Sequence, residues 1–159
     1  VIGVLAALGL LLPGCYLPPV ESPIVDPFRA PSCVYCAGNR GLEYRPAAGS
    51  RVVAAAGGVV EFNGVVAGVR YVVVRQVDGR LATYGRLAGA RVAAGGTVGP
   101  GEVIGTTSER FYFGLREGDR YVDPEPFLAK PRYRPRLIPL DGSAPRRAPP
   151  PTMVCAATR

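Results

Sequence analysis

The chain has 159 residues, a formal net charge of +7 and no histidine, with 48% hydrophobic residues, 21 glycines and 17 prolines. That length allows one domain of ordinary size with a real core and excludes two large ones. Between Lys130 and Arg159 stand seven basic residues and a single acid, Asp141, so this segment carries +6 of the +7 and the rest is near neutral. The high pI therefore describes a tail and gives no support to a basic face on the folded part.

Residues 1–12 are apolar without interruption. As a helix they would extend roughly 18 Å, too short for a hydrocarbon core of ~30 Å but suited to the apolar part of an export signal. Leu12-Pro13-Gly14-Cys15 then resembles a bacterial lipobox, which makes residues 1–15 a signal or lipoprotein signal and Cys15 a lipidation candidate. An ordinary signal peptide ending near an unmodified Cys15 is the other reading. The expected location is exported, in the cell envelope or secreted.

Residues 16–32 are punctuated by proline, which lacks the amide donor a sheet interior needs. They predict an extended lead-in to an edge strand. Cys33-Val34-Tyr35-Cys36 follows. In an exported chain this pair predicts a local disulfide between Cys33 and Cys36; free thiols and a redox or metal role are the alternatives. Cys155 is left over, available for pairing between chains.

From about residue 41 the pattern is β. Arg51–Ala55, Val59–Phe62, Tyr71–Val77, Leu81–Tyr84, Val103–Ile104 and Phe111–Arg116 are short, β-branched or aromatic stretches separated by glycine. Asn63-Gly64 and Asp78-Gly79 are hairpin-turn dipeptides. Val59, Phe62, Val72, Val74, Val103, Ile104 and Phe113 are the predicted core. No segment shows a sustained 3.6-residue period, so the predicted class is all-β, a small antiparallel sheet. Residues 129–159 are rich in Pro and Arg and read as a disordered or extended tail.

Gly49 to Val60 holds a Gly-x-x-Val-x-Ala-x-x-x-Gly-x-Val run. Arg91-Val92, Gly95-Gly96-Thr97-Val98 and Gly101-Glu102-Val103-Ile104-Gly105 form a second glycine-spaced run, and Tyr121-Val122-Asp123-Pro124 closes it. In order and spacing this frame resembles the LytM/lysostaphin-type zinc endopeptidases over roughly residues 20–128, with the β domain itself at 33–128. The resemblance implies that family's β-sheet core and cell-wall peptides as substrate. It also implies stations reading His-x-Gly-x-Asp, Thr-x-Tyr-x-His-Leu and His-x-His-Phe.

Here those stations are Asn39-Arg40-Gly41-Leu42-Glu43, Thr83-Tyr84-Gly85-Arg86-Leu87 and Arg110-Phe111-Tyr112-Phe113. The metal ligands of the resemblance correspond to Asn39, Glu43 and Tyr112, and its two assisting histidines to Arg86 and Arg110. Asn and neutral Tyr are poor zinc ligands, and a guanidinium stays protonated and cannot act as a general base. The expectation is a catalytically inactive relative without zinc or other cofactor. Its former groove, Asn39, Glu43, Tyr84, Arg86, Arg110 and Tyr112, is either an ion-paired structural crosslink or a binding site for wall-peptide carboxylates. The expected partners are peptidoglycan or a cell-wall hydrolase, with membrane anchoring through the N-terminal segment. An active metalloendopeptidase with non-standard ligands is the alternative. A biotinyl/lipoyl carrier is set aside because the single lysine, Lys130, lies outside the β region, and nucleic acid is disfavoured because no aromatic platform accompanies the arginines.

Overall fold

The computed structural model describes residues 14–33, 35–144 and 147–156. The expected signal therefore lies, up to residue 13, outside the described residues. The described residues hold eleven strands: β1 (Ile24–Asp26), β2 (Leu42–Tyr44), β3 (Arg51–Val53), β4 (Gly58–Val66), β5 (Val69–Gln76), β6 (Leu81–Ala90), β7 (Thr97–Val98), β8 (Val103–Glu117), β9 (Arg120–Val122), β10 (Lys130–Arg132) and β11 (Thr152–Val154). One 3₁₀ turn, Glu125–Phe127, accompanies them, and the described residues hold no α-helix. The main sheet runs β1-β2-β8-β6-β5-β4-β7, with β3 and β9 also paired to β8, and β10 pairs with β11 separately. Every strand pair is antiparallel, the all-β class that the alternation predicts.

The sheet buries one face. Leu42, Val52, Val60, Val72, Val74, Tyr84, Ile104, Phe111, Phe113 and Leu115 are fully buried in one cluster. Alternation along β8 explains the choice of face: Phe111, Phe113 and Leu115 point in, Arg110, Tyr112 and Arg116 point out. Of the predicted core, Val72, Val74, Ile104 and Phe113 are fully buried, but Val59 and Phe62 are exposed and Val103 is only half-buried. A register shift between Val60 and Phe62 turns Phe62 outward, because a bulge inverts the parity of every residue beyond it, whereas Val59 precedes the bulge and faces out by simple alternation with buried Val60.

Asp78-Gly79 lies in the β5–β6 turn, with Gly79 at φ 87°. Asn63-Gly64 does not turn the chain: both residues sit inside β4, and Asn63 Nδ2 donates to the Val92 carbonyl at 2.7 Å. The β4–β5 turn is Ala67-Gly68, whose φ values of 49° and 79° match the left-handed pair a two-residue hairpin requires.

The lead-in is not a tether. Tyr16 and Val20 are buried in the core cluster, and only β1 forms the expected edge strand. Cys15 is bonded to Cys155 with Cα atoms 5.7 Å apart, which corrects both the lipidation reading of Cys15 and the interchain reading of Cys155: a sulfur in a disulfide carries no lipid thioether. Between β10 and β11 the described residues hold no strand or helix, in line with their composition, but this pair and the Cys15–Cys155 bond tie both ends of the segment to the domain. Cys33 and Cys36 are bonded to each other, as the spacing predicts.

Candidate functional site

One cross-strand row organises the outer face of the sheet. Asp26 on β1 pairs with Glu43 on β2, Glu43 with Tyr112 on β8, Tyr112 with Gly85 on β6, Gly85 with Tyr71 on β5, and Tyr71 with Gly64 on β4. Directly opposed residues of a sheet share a face, so these six line up on the surface opposite the core. The glycines are required here. A Cβ at Gly85 would stand 2.7 Å from the Tyr71 ring and 3.2 Å from that of Tyr112, and one at Gly41 would stand 2.7 Å from Tyr112. Both tyrosine rings therefore lie down over bare backbone and form a flat aromatic floor.

Arg86 reaches this face through a break in the pattern. Tyr84 points into the core, Gly85 out, and strict alternation would send Arg86 in. Register is lost between Gly85 and Leu87, and Arg86 adopts φ 62°. This left-handed bulge turns the arginine outward and returns Leu87 to the core. Ser108 Oγ sits 3.0 Å from the Arg86 carbonyl oxygen and 2.9 Å from that of Arg110, bridging the backbones where the ladder opens.

Glu43 is the hub. Arg86 Nη2 donates to its Oε1 at 3.3 Å and Arg110 Nη2 to its Oε2 at 3.0 Å, while the Glu43 side chain is only 15% exposed. A shielded carboxylate held by two guanidinium groups is the arrangement charge-assisted pairing favours. The Arg110 side chain is 52% exposed, so solvent screens its share, and its removal costs about 1 kcal/mol or less rather than the several a buried pair would cost.

The remaining predicted site residues part company. Tyr112 joins the row, and burial pushes its phenol pKa up, so it stays protonated. Asn39 is a brace: Nδ2 donates to the Asp26 and Pro27 carbonyls at 3.2 and 3.0 Å, and Oδ1 accepts from the Gly41 amide at 3.3 Å. Tyr84 does not line the groove. It is fully buried on the opposite face, packs with its ring tilted against Phe113 at 5.3 Å between ring centres, and accepts the Ala55 amide at 2.8 Å. Its parity with buried Ala82 two residues earlier carries that information.

Three participants have no motif to announce them. Arg70 joins Arg86 and Arg110 around an open pocket of about 480 Å³, walled also by Val69, Ser108 and Glu109. Asp26 stands opposite Glu43, and the Arg29 guanidinium beside it holds its carboxyl below the usual range, with the Arg110 charge acting in the same direction.

These donors do not fit zinc. The Asn39 oxygen is taken by a backbone amide, both Glu43 oxygens by arginines, and the Tyr112 phenol is protonated, where a zinc site asks for three good N, O or S donors. Among the described residues no group of three or more His, Cys, Asp or Glu is placed to hold a metal.

No curated protein sequence is significantly similar to this one. Several solved structures share its fold. Csd3 of Helicobacter pylori aligns with a TM-score of 0.64 and 23% identity, over 72% of this chain and 34% of its own, so the chain spans about a third of that protein. A chain of the SpoIIQ–SpoIIIAH pore-forming complex aligns with a TM-score of 0.63 and 18% identity, over 72% of this chain and 90% of its own. The catalytic domain of the antimicrobial peptidase lysostaphin from Staphylococcus simulans aligns with a TM-score of 0.59 and 18% identity, over 67% and 91%. The model of Peptidase family M23 matches residues 37–124, more than half of the chain and a span that contains Asn39, Glu43, Arg86, Arg110 and Tyr112. The chain belongs to peptidase family M23, with an arginine–glutamate cluster at the stations where the zinc-binding pattern is expected.

Proposed function

We propose that this is an exported, non-catalytic M23 domain whose groove binds peptide carboxylates of peptidoglycan. The observation that carries this reading is the convergence of Arg86, Arg110 and Arg70 on one open pocket beside the aromatic floor. Each guanidinium presents five N–H donors in a planar fork suited to carboxylate, and Glu43 engages one nitrogen of Arg86 and one of Arg110. A guanidinium stays protonated and cannot act as a general base, and both Glu43 oxygens are engaged by arginines, so binding is the chemistry these groups favour. Two disulfides in a chain of this size agree with an oxidising compartment outside the cytoplasm. Lysostaphin is described as an antimicrobial peptidase and SpoIIQ as part of a protein complex. A fold that serves both a peptidase and a member of a protein complex is compatible with a domain that, bound to wall peptides, would position or regulate a catalytic hydrolase.

The full chain should sediment with purified peptidoglycan, and Arg86→Ala with Arg110→Ala should weaken that binding roughly tenfold or more, as loss of two charge-assisted contacts predicts. The melting temperature should fall modestly, because the double substitution leaves the largely shielded Glu43 carboxylate without its two arginine partners, and the binding loss is compared on protein shown to be folded. Amidation of the peptide carboxylates should mimic the double substitution. In the same preparation, zinc should leave the melting temperature unmoved, since only a ligand that binds the folded state stabilises it. Stabilisation by zinc that vanishes in Glu43→Ala, together with turnover of crosslinked peptides, would replace this reading with that of an active metalloendopeptidase.

A further inference from the structure

The Pro/Arg-rich segment forms an arm closed at its base. Lys130, Pro131 and Arg132 pair with Val154, Met153 and Thr152, and the next residue, Cys155, is bonded to Cys15. Between these ends the chain exposes large apolar side chains: Leu137 is 97% exposed, Leu140 101%, and Ile138 and Tyr133 are also mostly in water. Keeping such a cluster in water is unfavourable, and clusters of this kind mark interaction surfaces. Arg132, Arg134 and Arg136 precede it and Arg147 follows it, all exposed. The one acid of the segment, Asp141, is engaged by the Ser143 amide and hydroxyl at 2.9 and 2.6 Å.

The base of the arm lies where the N-terminal run enters the domain. Tyr16 N donates to the Phe127 carbonyl at 2.8 Å and Ala129 N to the Tyr16 carbonyl at 2.7 Å, so the entering chain lies beside the one leaving for β10. The uncharged apolar residues 1–12 end three positions before Cys15.

We propose that the tip of the arm, Leu137, Ile138 and Leu140 with Arg132, Arg134 and Arg136, docks on a lipid bilayer surface that contains anionic headgroups. The arginines meet headgroup phosphates and the apolar side chains enter the boundary with the acyl chains, two contributions that reinforce each other at such a surface. A soluble polyanion would engage the arginines and leave the leucines in water. A purely apolar protein groove would bury the leucines and give no return for the surrounding cations. No helix of the described residues is long and apolar enough to cross a membrane.

The test is co-sedimentation of the full chain with vesicles of phosphatidylcholine, alone or mixed with phosphatidylglycerol. The apolar N-terminal run has no charged side chain, so whatever it contributes is indifferent to headgroup charge. Binding should be roughly tenfold or more stronger on the mixed vesicles and should fall as NaCl is raised. Leu137→Ser with Leu140→Ser, which adds no charge, should weaken binding to the mixed vesicles roughly tenfold, and Arg134→Gln and Arg136→Gln should each reduce it about fivefold. All four side chains are exposed, and an unchanged melting temperature confirms that folding is not what was altered. Equal binding to both vesicle types overturns the proposal. So does anion-dependent binding that the leucine substitutions leave intact, which would mark the arm as a site for soluble polyanions.

Discussion

Replacing Cys155 by alanine is expected to lower the free energy of unfolding by about 5 kcal/mol, the chain-entropy value for a crosslink that closes so long a loop. The bond joins residues 140 apart, and Cys15 leads directly into buried Tyr16, so the crosslink restrains nearly the whole unfolded chain. Cys15→Ala should cost the same amount and the double substitution no more, because the two residues form one bond. The Cys33–Cys36 bond spans only three residues and should contribute little. Reductant should therefore destabilise the unsubstituted protein strongly and the Cys155→Ala protein hardly at all, read by urea unfolding. If Cys15→Ala leaves stability untouched and Cys155 reacts freely with maleimide, the bond does not form and lipidation of Cys15 returns as the better account.

Tyr84→Ala should cost about 3–5 kcal/mol, the range for emptying a buried aromatic site. The ring is fully buried against Phe113 and its hydroxyl caps the buried Ala55 amide at 2.8 Å. Tyr84→Phe isolates the second contribution: it leaves that amide without its partner and should cost about 1–3 kcal/mol. Neither change should alter peptidoglycan binding by protein that remains folded, since the side chain lies on the far face of the sheet. A groove residue would show the opposite pattern, with binding lost and stability kept. Measuring both quantities on Tyr84→Phe separates the two placements in one experiment.

What the sequence reveals here depends on how local the determining interaction is. Alternation marks the second half of β8, where Phe111, Phe113 and Leu115 face in and Arg110, Tyr112 and Arg116 out; β5 is marked instead by its β-branched run, and Asp78-Gly79 turns the chain where its dipeptide says it should. Asn63-Gly64 misleads because a tertiary contact, Asn63 to the Val92 carbonyl, holds it inside a strand. Phe62 loses its predicted burial to a bulge whose position no local pattern announces, and Val59 loses it because its neighbour Val60 takes the core face. At the site, Glu43, Arg86, Arg110 and Tyr112 stand out through their places in a known frame. Arg70 and Asp26 belong to no motif and are joined to the others only by strand register. The Cys15–Cys155 bond is the extreme case, since nothing near either residue refers to the other.

The backbone at Arg86 sets two kinds of fitness against each other. At φ 62° every residue with a Cβ is strained, by about 1–2 kcal/mol, and glycine is not. Arg86→Gly would relieve that strain while deleting the guanidinium that reaches Glu43 and the pocket. A library randomised at this codon and sorted for heat resistance should drift toward glycine. The same library sorted for retention on cell walls should hold arginine. Where the two sorts diverge, the protein spends folding free energy on keeping a cation in its groove.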